Sequence, residues 1–168
     1  MNAFWAIAAG RAAFFRLNGR LYQPGDLGRV IGSEIGIQIE RPDRPGGVLF
    51  DNMTALDNLC TSLIPKAGQH IIRKKIVSSI LSEALRWFPK EMLLQPLSSW
   101  SYPERLRFSY YRWYLLNPRL LICFFPFAGQ ESTHHKMIID LLVLCAQRGM
   151  AVWIISSGID AICEKTDN

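Results

Sequence analysis

NPRLLICFFPFAGQES, residues 117 to 132, is the stretch on which the fold turns. Asn117-Pro118-Arg119 should end a helix, because proline cannot continue one and restricts the residue before it. Leu120 to Phe125 follow as an unbroken apolar run of strand length, the pattern of a strand buried on both faces. Pro126 and a polar turn close it. The tip of the strand is Phe124-Phe125, two aromatic rings with no ionisable group.

Downstream, the pattern predicts a helix over 132–148, with Gly149 as its stop, a strand over 150–156 and a helix over 158–164. Strand, helix, strand with near-continuous apolar strands argues for a parallel sheet in an α/β fold. Upstream, a helix runs from about Glu104 to Leu116, preceded by the polar stretch QPLSSWSYP. The clearest amphipathic helix covers 69–88, where Ile72, Ile76, Ile80, Ala84 and Trp87 recur at three- and four-residue spacing. Thr54 can cap a short helix through Cys60.

The first 50 residues read differently. A short helix spans 2–9, AAFFRLN (12–18) is a strand closed by Asn18-Gly19, and Pro24 to Ser33 is a short helix. IGIQI (35–39) is a second strand, and ERPDRPGG (40–47) a loop. The expected organisation is one α/β domain, with its core at 1–50 and 117–168 and a helical subdomain, 51–116, inserted between them.

The 168 residues suffice for one domain with a real core, and 49% apolar against 20% charged residues is a globular balance. A net charge of +5 fits a scattered basic surface better than a nucleic-acid or membrane patch. Cys60, Cys123, Cys145 and Cys163 form no CxxC pair, so spacing supports no zinc site. No apolar run reaches the ~20 residues of a membrane span, and AFWAIAAG has no basic lead. A cytoplasmic location is expected.

The order of these pieces resembles the ATP-binding cassette of ABC transporters, most closely that of sugar importers. LFDNMTALDNL (49–59), NPRLLI (117–122) and IISS (154–157) carry the likeness. It implies a P-loop-type parallel sheet, but in a degenerate, truncated form. No G-x-x-x-x-G-K-[ST] occurs in these residues, so nothing here matches the loop that cradles phosphates. In family order that loop would stand just before residue 2. The strand that carries it would pair with the sheet, so an open sheet edge or a partner covering it is expected.

Site by site, the resemblance implies the following. Asp43-Arg44 match the nucleotide-sensing loop of sugar-type cassettes, although Pro42 stands where an acid precedes the pair. The signature segment falls on Trp100-Ser101-Tyr102-Pro103-Glu104. Ser101 is kept, but Tyr102 adds bulk and Pro103 removes an N–H donor, so the segment reads as a helix cap rather than a phosphate clamp. Phe124 and Phe125 occupy the positions of the two acids that hold magnesium and activate water, work that phenylalanine cannot do. Two such rings, each able to bury roughly 150–250 Å², are expected to close a dry pocket. Glu131 stands at an Asp position in the following loop, and Ser157 at the switch histidine.

His134-His135 invite a metal reading, but neighbours on a helix face different ways; an exposed first turn is expected. RLRFSYYRWYLLNPR (105–119) interleaves arginine with aromatics, as single-strand binders do. At helical spacing Leu106, Tyr110, Trp113 and Leu116 instead form a core stripe, with Arg105 and Arg112 outside it. Serine hydrolase chemistry has no G-x-S-x-G elbow.

The resemblance therefore implies an inactive cassette-like domain without cofactor. It would act as a regulatory or protein-interaction module, pairing through 51–103 with another cassette or with a transporter's membrane subunit. Neither nucleic acid nor direct membrane insertion is expected. The second reading is a fragment of a sugar importer's ATP-binding subunit, which would need ATP and magnesium.

Overall fold

The computed structural model describes residues 15–17, 20–22, 26–40, 49–67 and 74–156. The readings over 2–9 and 158–164, and the sensing loop, lie outside these. Phe15–Leu17 (β1) pairs antiparallel with Arg20–Tyr22 (β2). The sequence showed one strand here; β2 has three residues, too few to declare a period of two. Leu27–Val30 (α1) is a single turn within the predicted 24–33 helix.

Ile35–Ile39 (β3), Leu120–Phe124 (β4) and Ala151–Ile155 (β5) make a parallel sheet in the order β3-β4-β5. Ile35, Leu120 and Ala151 share one row, and Ile39, Phe124 and Ile155 another. The three strands therefore end level, and their carboxyl ends form one rim.

Helices fill the middle. Ala55–Ala67 (α2) starts at Thr54, whose Oγ1 accepts the Asp57 N–H at 3.0 Å. It runs past the predicted end at Cys60. Thr61 and Ser62, which look like a stop, donate their hydroxyls to the Asp57 and Asn58 carbonyls at 3.0 and 2.8 Å, so the helix absorbs them. Asn58 is buried and pins the turn before the helix, accepting the Phe50 N–H at 2.8 Å and donating to the Phe50 carbonyl at 3.0 Å.

Lys74–Ala84 (α3) ends earlier than the predicted 88. The Ala84 carbonyl takes the N–H groups of both Trp87 and Phe88, and the resulting turn folds Phe88 into the core ahead of Pro89. Lys90–Leu93 (α4) and a short 3₁₀ turn at Leu97–Ser99 lead to Tyr102–Leu116 (α5). Asn117 stops α5 in the left-handed region at φ 46°. Ser132–Gln147 (α6) precedes β5 and is stopped by Gly149 at φ 85°.

One hydrophobic cluster gathers Leu59, Ile80, Phe88, Leu93 and Trp100 around Phe108 and Tyr111 of α5. Another gathers Leu121 and Cys123 of β4 with Ile138, Leu141 and Cys145 of α6 around Leu106, Tyr110 and Trp113 of the same helix. Helix α5 thus gives opposite faces to two cores. The far side of the sheet holds Ile35, Leu120 and Ile122 against Val30. Gly36 lets α5 approach: a Cβ there would lie 2.8 Å from the Trp113 ring.

Candidate functional site

In parallel α/β sheets ligands bind at the carboxyl ends of the strands, which here means Glu40, Phe124-Phe125 and the end of β5. Phe124 is half-buried and packs with the Ile35, Leu120 and Ile122 cluster. Its carbonyl accepts the Glu40 N–H at 3.2 Å. Phe125 behaves differently. Its φ is 52°, a conformation rare for a bulky side chain, and it is 42% exposed. Its N–H donates to Ile155 O at 2.7 Å while its carbonyl accepts the Ala128 N–H at 2.9 Å, so the chain turns sharply and throws the ring outward. The expected closed pocket of two rings is therefore corrected: one ring packs and the other faces solvent.

The start of α5 is a reciprocal cap. Glu104 Oε2 accepts the Ser101 backbone N–H at 2.8 Å and the Ser101 hydroxyl at 2.6 Å. A carboxylate thus sits at the positive end of the helix, where an external anion would have to bind. Pro103 occupies the first turn. Tyr102 is half-buried with its ring 5.7 Å from that of His134, and burial raises its phenol pKa. Glu131 stands at the N-cap of α6 without a side-chain cap bond and is exposed. Asp43, Arg44 and Ser157 lie outside the described residues.

Two further expectations are corrected. His134 and His135 are half-buried, not on an exposed turn: their rings meet Tyr102 and Phe127, at 5.7 and 5.0 Å. Among the described residues no cluster of His, Cys, Asp or Glu could hold a metal ion. Leu106, Tyr110, Trp113 and Leu116 are buried as the spacing predicted, but Arg112 is buried with them, 4.7 Å from the Trp113 ring. Burial lowers its pKa to about 10. The helix is enclosed on more sides than a one-stripe pattern allows.

Sequence reasoning missed a buried polar chain behind the rim. Gln38 and Glu40 both point from β3 toward α5. Trp113 Nε1 donates to Gln38 Oε1 at 2.6 Å, and Gln38 Nε2 donates to Glu40 Oε1 at 2.6 Å and to Ser109 Oγ at 3.3 Å. Burial above all, and then the Glu40 charge, holds the Tyr110 phenol well above its ordinary range. The signal was present in IGIQIE, where two polar residues alternate with isoleucines on one face.

Solved structures share this arrangement. An ATP-binding cassette solved as a dimer in a post-hydrolysis state, bound to ADP and Pi, superposes with a TM-score of 0.64 at 18% identity, over 88% of this chain and 64% of its own. The fold is that of an ATP-binding cassette. A second cassette structure, cbiO1 from Clostridium perfringens, part of the ABC transporter complex cbiONQ, matches with a TM-score of 0.60 at 20% identity, over 77% of this chain and 49% of its own.

Sequence relatives agree with the fold. A Pseudomonas syringae protein described as a ribose/galactose/methyl galactoside import ATP-binding protein is 25% identical over 99% of this chain. A Pseudomonas fluorescens protein of the same description is 27% identical over 90%. The likeness to sugar-importer cassettes read from the residues is thereby borne out. The chain spans about a third of these relatives' length, 32% and 30%. No protein-family model matches it. Among the described residues no helix is long and apolar enough to cross a membrane.

Proposed function

We propose that this chain is a cassette module that does not hydrolyse ATP and serves a transport system as a protein-binding or regulatory part. The observation that carries the reading is the tip of β4, Phe124 followed by an outward Phe125. A hydrolytic site needs oxygen ligands for magnesium and a group that orients water, and neither ring supplies one. The Glu104 carboxylate that closes the signature-like helix start supports the same reading. Partners would be another cassette or a membrane subunit, with docking through the helical region 51–103. The module would work in the cytoplasm, held at the membrane's inner face through its partner.

Calorimetric titration with ATP and magnesium up to millimolar nucleotide, run beside a phosphate-release assay, tests this. Silence in both is expected; saturable binding with turnover overturns it. A second reading rests on the two import ATP-binding relatives: the chain belongs to an ATP-binding importer subunit and contributes to a site completed elsewhere. Co-purification separates the two readings. The first expects a stable complex with an intact cassette or membrane subunit whose hydrolysis does not depend on Phe124 or Phe125. The second expects hydrolysis that rises when an acid replaces Phe125.

A further inference from the structure

A concavity of about 390 Å³ opens between Trp87, just past α3, and helices α5 and α6. Small-molecule sites span roughly 300–1,000 Å³. Glu40, Phe124 and Phe125 are not among its lining residues, so it is separate from the rim. Met137, Leu141 and Leu144 give it an apolar wall and Trp87 an aromatic one. Helical spacing sets those three α6 residues on one face, with Lys136 and Asp140 beside them.

Arg107 brings the charge. Its guanidinium lies over two rings, 5.8 Å from the centroid of Trp87 and 5.3 Å from that of Phe88. Phe88 is buried, so the cation rests on a fixed surface. Among the described residues these ring contacts are all that engage it, and no acceptor takes its N–H groups. Lys136 and Asp140 stand one helical turn apart, and neither has a hydrogen bond or ion pair among the described residues.

We infer that this concavity binds a small carboxylate carried on an apolar body. The carboxylate takes the N–H fork of Arg107, whose planar donors match two oxygens at once. The body lies against Trp87 and the apolar wall of α6. Charge decides between anions. Arg107 and Lys136 are positive and Asp140 is negative, so the lining carries one net positive charge. A carboxylate monoanion balances it. A phosphate dianion would bring a second negative charge toward Asp140, where like charges oppose one another. The aromatic and aliphatic walls favour a ligand with a ring or branched chain over a bare polar anion.

The test titrates the full chain, at neutral pH and about 0.15 M salt, with 3-phenylpropionate. Tryptophan indole N–H resonances report binding, and Trp87→Phe assigns the one that belongs to Trp87. A saturable shift of that resonance is expected, with a dissociation constant of about 1 mM or tighter for so small a ligand. The uncharged 3-phenylpropionamide and the dianionic phenyl phosphate should each bind at least about tenfold more weakly. Arg107→Lys keeps the charge and removes the planar fork. It should weaken 3-phenylpropionate at least about tenfold, with the circular dichroism of the parent chain. Asp140→Asn should bring phenyl phosphate close to the carboxylate. No saturation by about 20 mM overturns the proposal, as does an Arg107→Lys chain that binds like its parent. Equal binding of the amide overturns the assignment of an anion, and a wild-type preference for phenyl phosphate overturns that of a carboxylate. The titration contains no nucleotide, so its outcome is independent of whether the cassette hydrolyses ATP.

Discussion

Trp113 donates its indole N–H to the side chain of Gln38 at 2.6 Å, across 75 positions of sequence, and so ties helix α5 to strand β3 behind the rim of the sheet. The same amide of Gln38 donates to the buried carboxylate of Glu40. Gln38→Leu leaves the Trp113 indole N–H buried without its acceptor and takes one donor from Glu40. The expected loss is about 1–3 kcal/mol. Urea denaturation of both proteins measures it.

Gly36 permits the close approach that makes this contact. A Cβ at that position meets the Trp113 ring at 2.8 and 2.9 Å and Leu121 Cδ1 at 3.0 Å. The ring and the strand are both held by packing, so neither yields easily. Gly36→Ala should destabilise by about 1–3 kcal/mol. It should also perturb tryptophan fluorescence, because the ring it displaces is Trp113.

Glu104 closes the start of α5 through Ser101. Glu104→Ala should lower stability by about 1 kcal/mol. Under the proposed function it creates no ATP affinity, since Pro103 still withholds an N–H. Thermal melts with and without millimolar ATP and magnesium should shift equally.

Phe125 holds a left-handed backbone at φ 52° and is 42% exposed, so the conformation is strained while part of the side chain is still covered. Phe125→Gly should relieve the strain and lose that covered surface, two effects of about 1–2 kcal/mol each that oppose one another. A net change well short of the roughly 3–5 kcal/mol that truncating a buried Phe costs, in a chemical denaturation curve, is the outcome that checks the geometry.

The pH dependence should be one-sided. Burial lifts the Cys145 thiol from 9.0 to about 11 and pushes the Cys123 thiol and the Tyr110 phenol well up. A raised folded-state pKa gives stability that is complete below the unfolded value and lost as pH rises through the folded one. Stability should therefore hold at neutral pH and fall as the solution passes pH 9 toward 11. Arg112 acts in the opposite sense, but only above about 10, where its lowered pKa lies. Melting temperatures between pH 7 and 10 isolate the thiols, and Cys145→Ala should flatten the slope.

The strands were legible because they are short apolar runs bounded by breakers, and the structure places β3 over the same five residues, Ile35–Ile39. The parallel sheet followed from the strand–helix–strand order, whereas the candidate site at Phe124-Phe125 came from the family resemblance. What stayed hidden was set by distant partners. Nothing near Gln38 in sequence announces Trp113. Arg112 looked like a solvent-facing residue because one apolar stripe was counted, whereas α5 is enclosed by two clusters. The outward turn of Phe125 depends on one backbone angle, which composition does not encode.

Because α5 lends one face to each hydrophobic cluster, neither cluster is complete without it. The helical region and the sheet should then melt as one cooperative unit. Damage done at Phe108 on one side of that helix would loosen Cys123 on the other, and the chain would lose both halves in a single step.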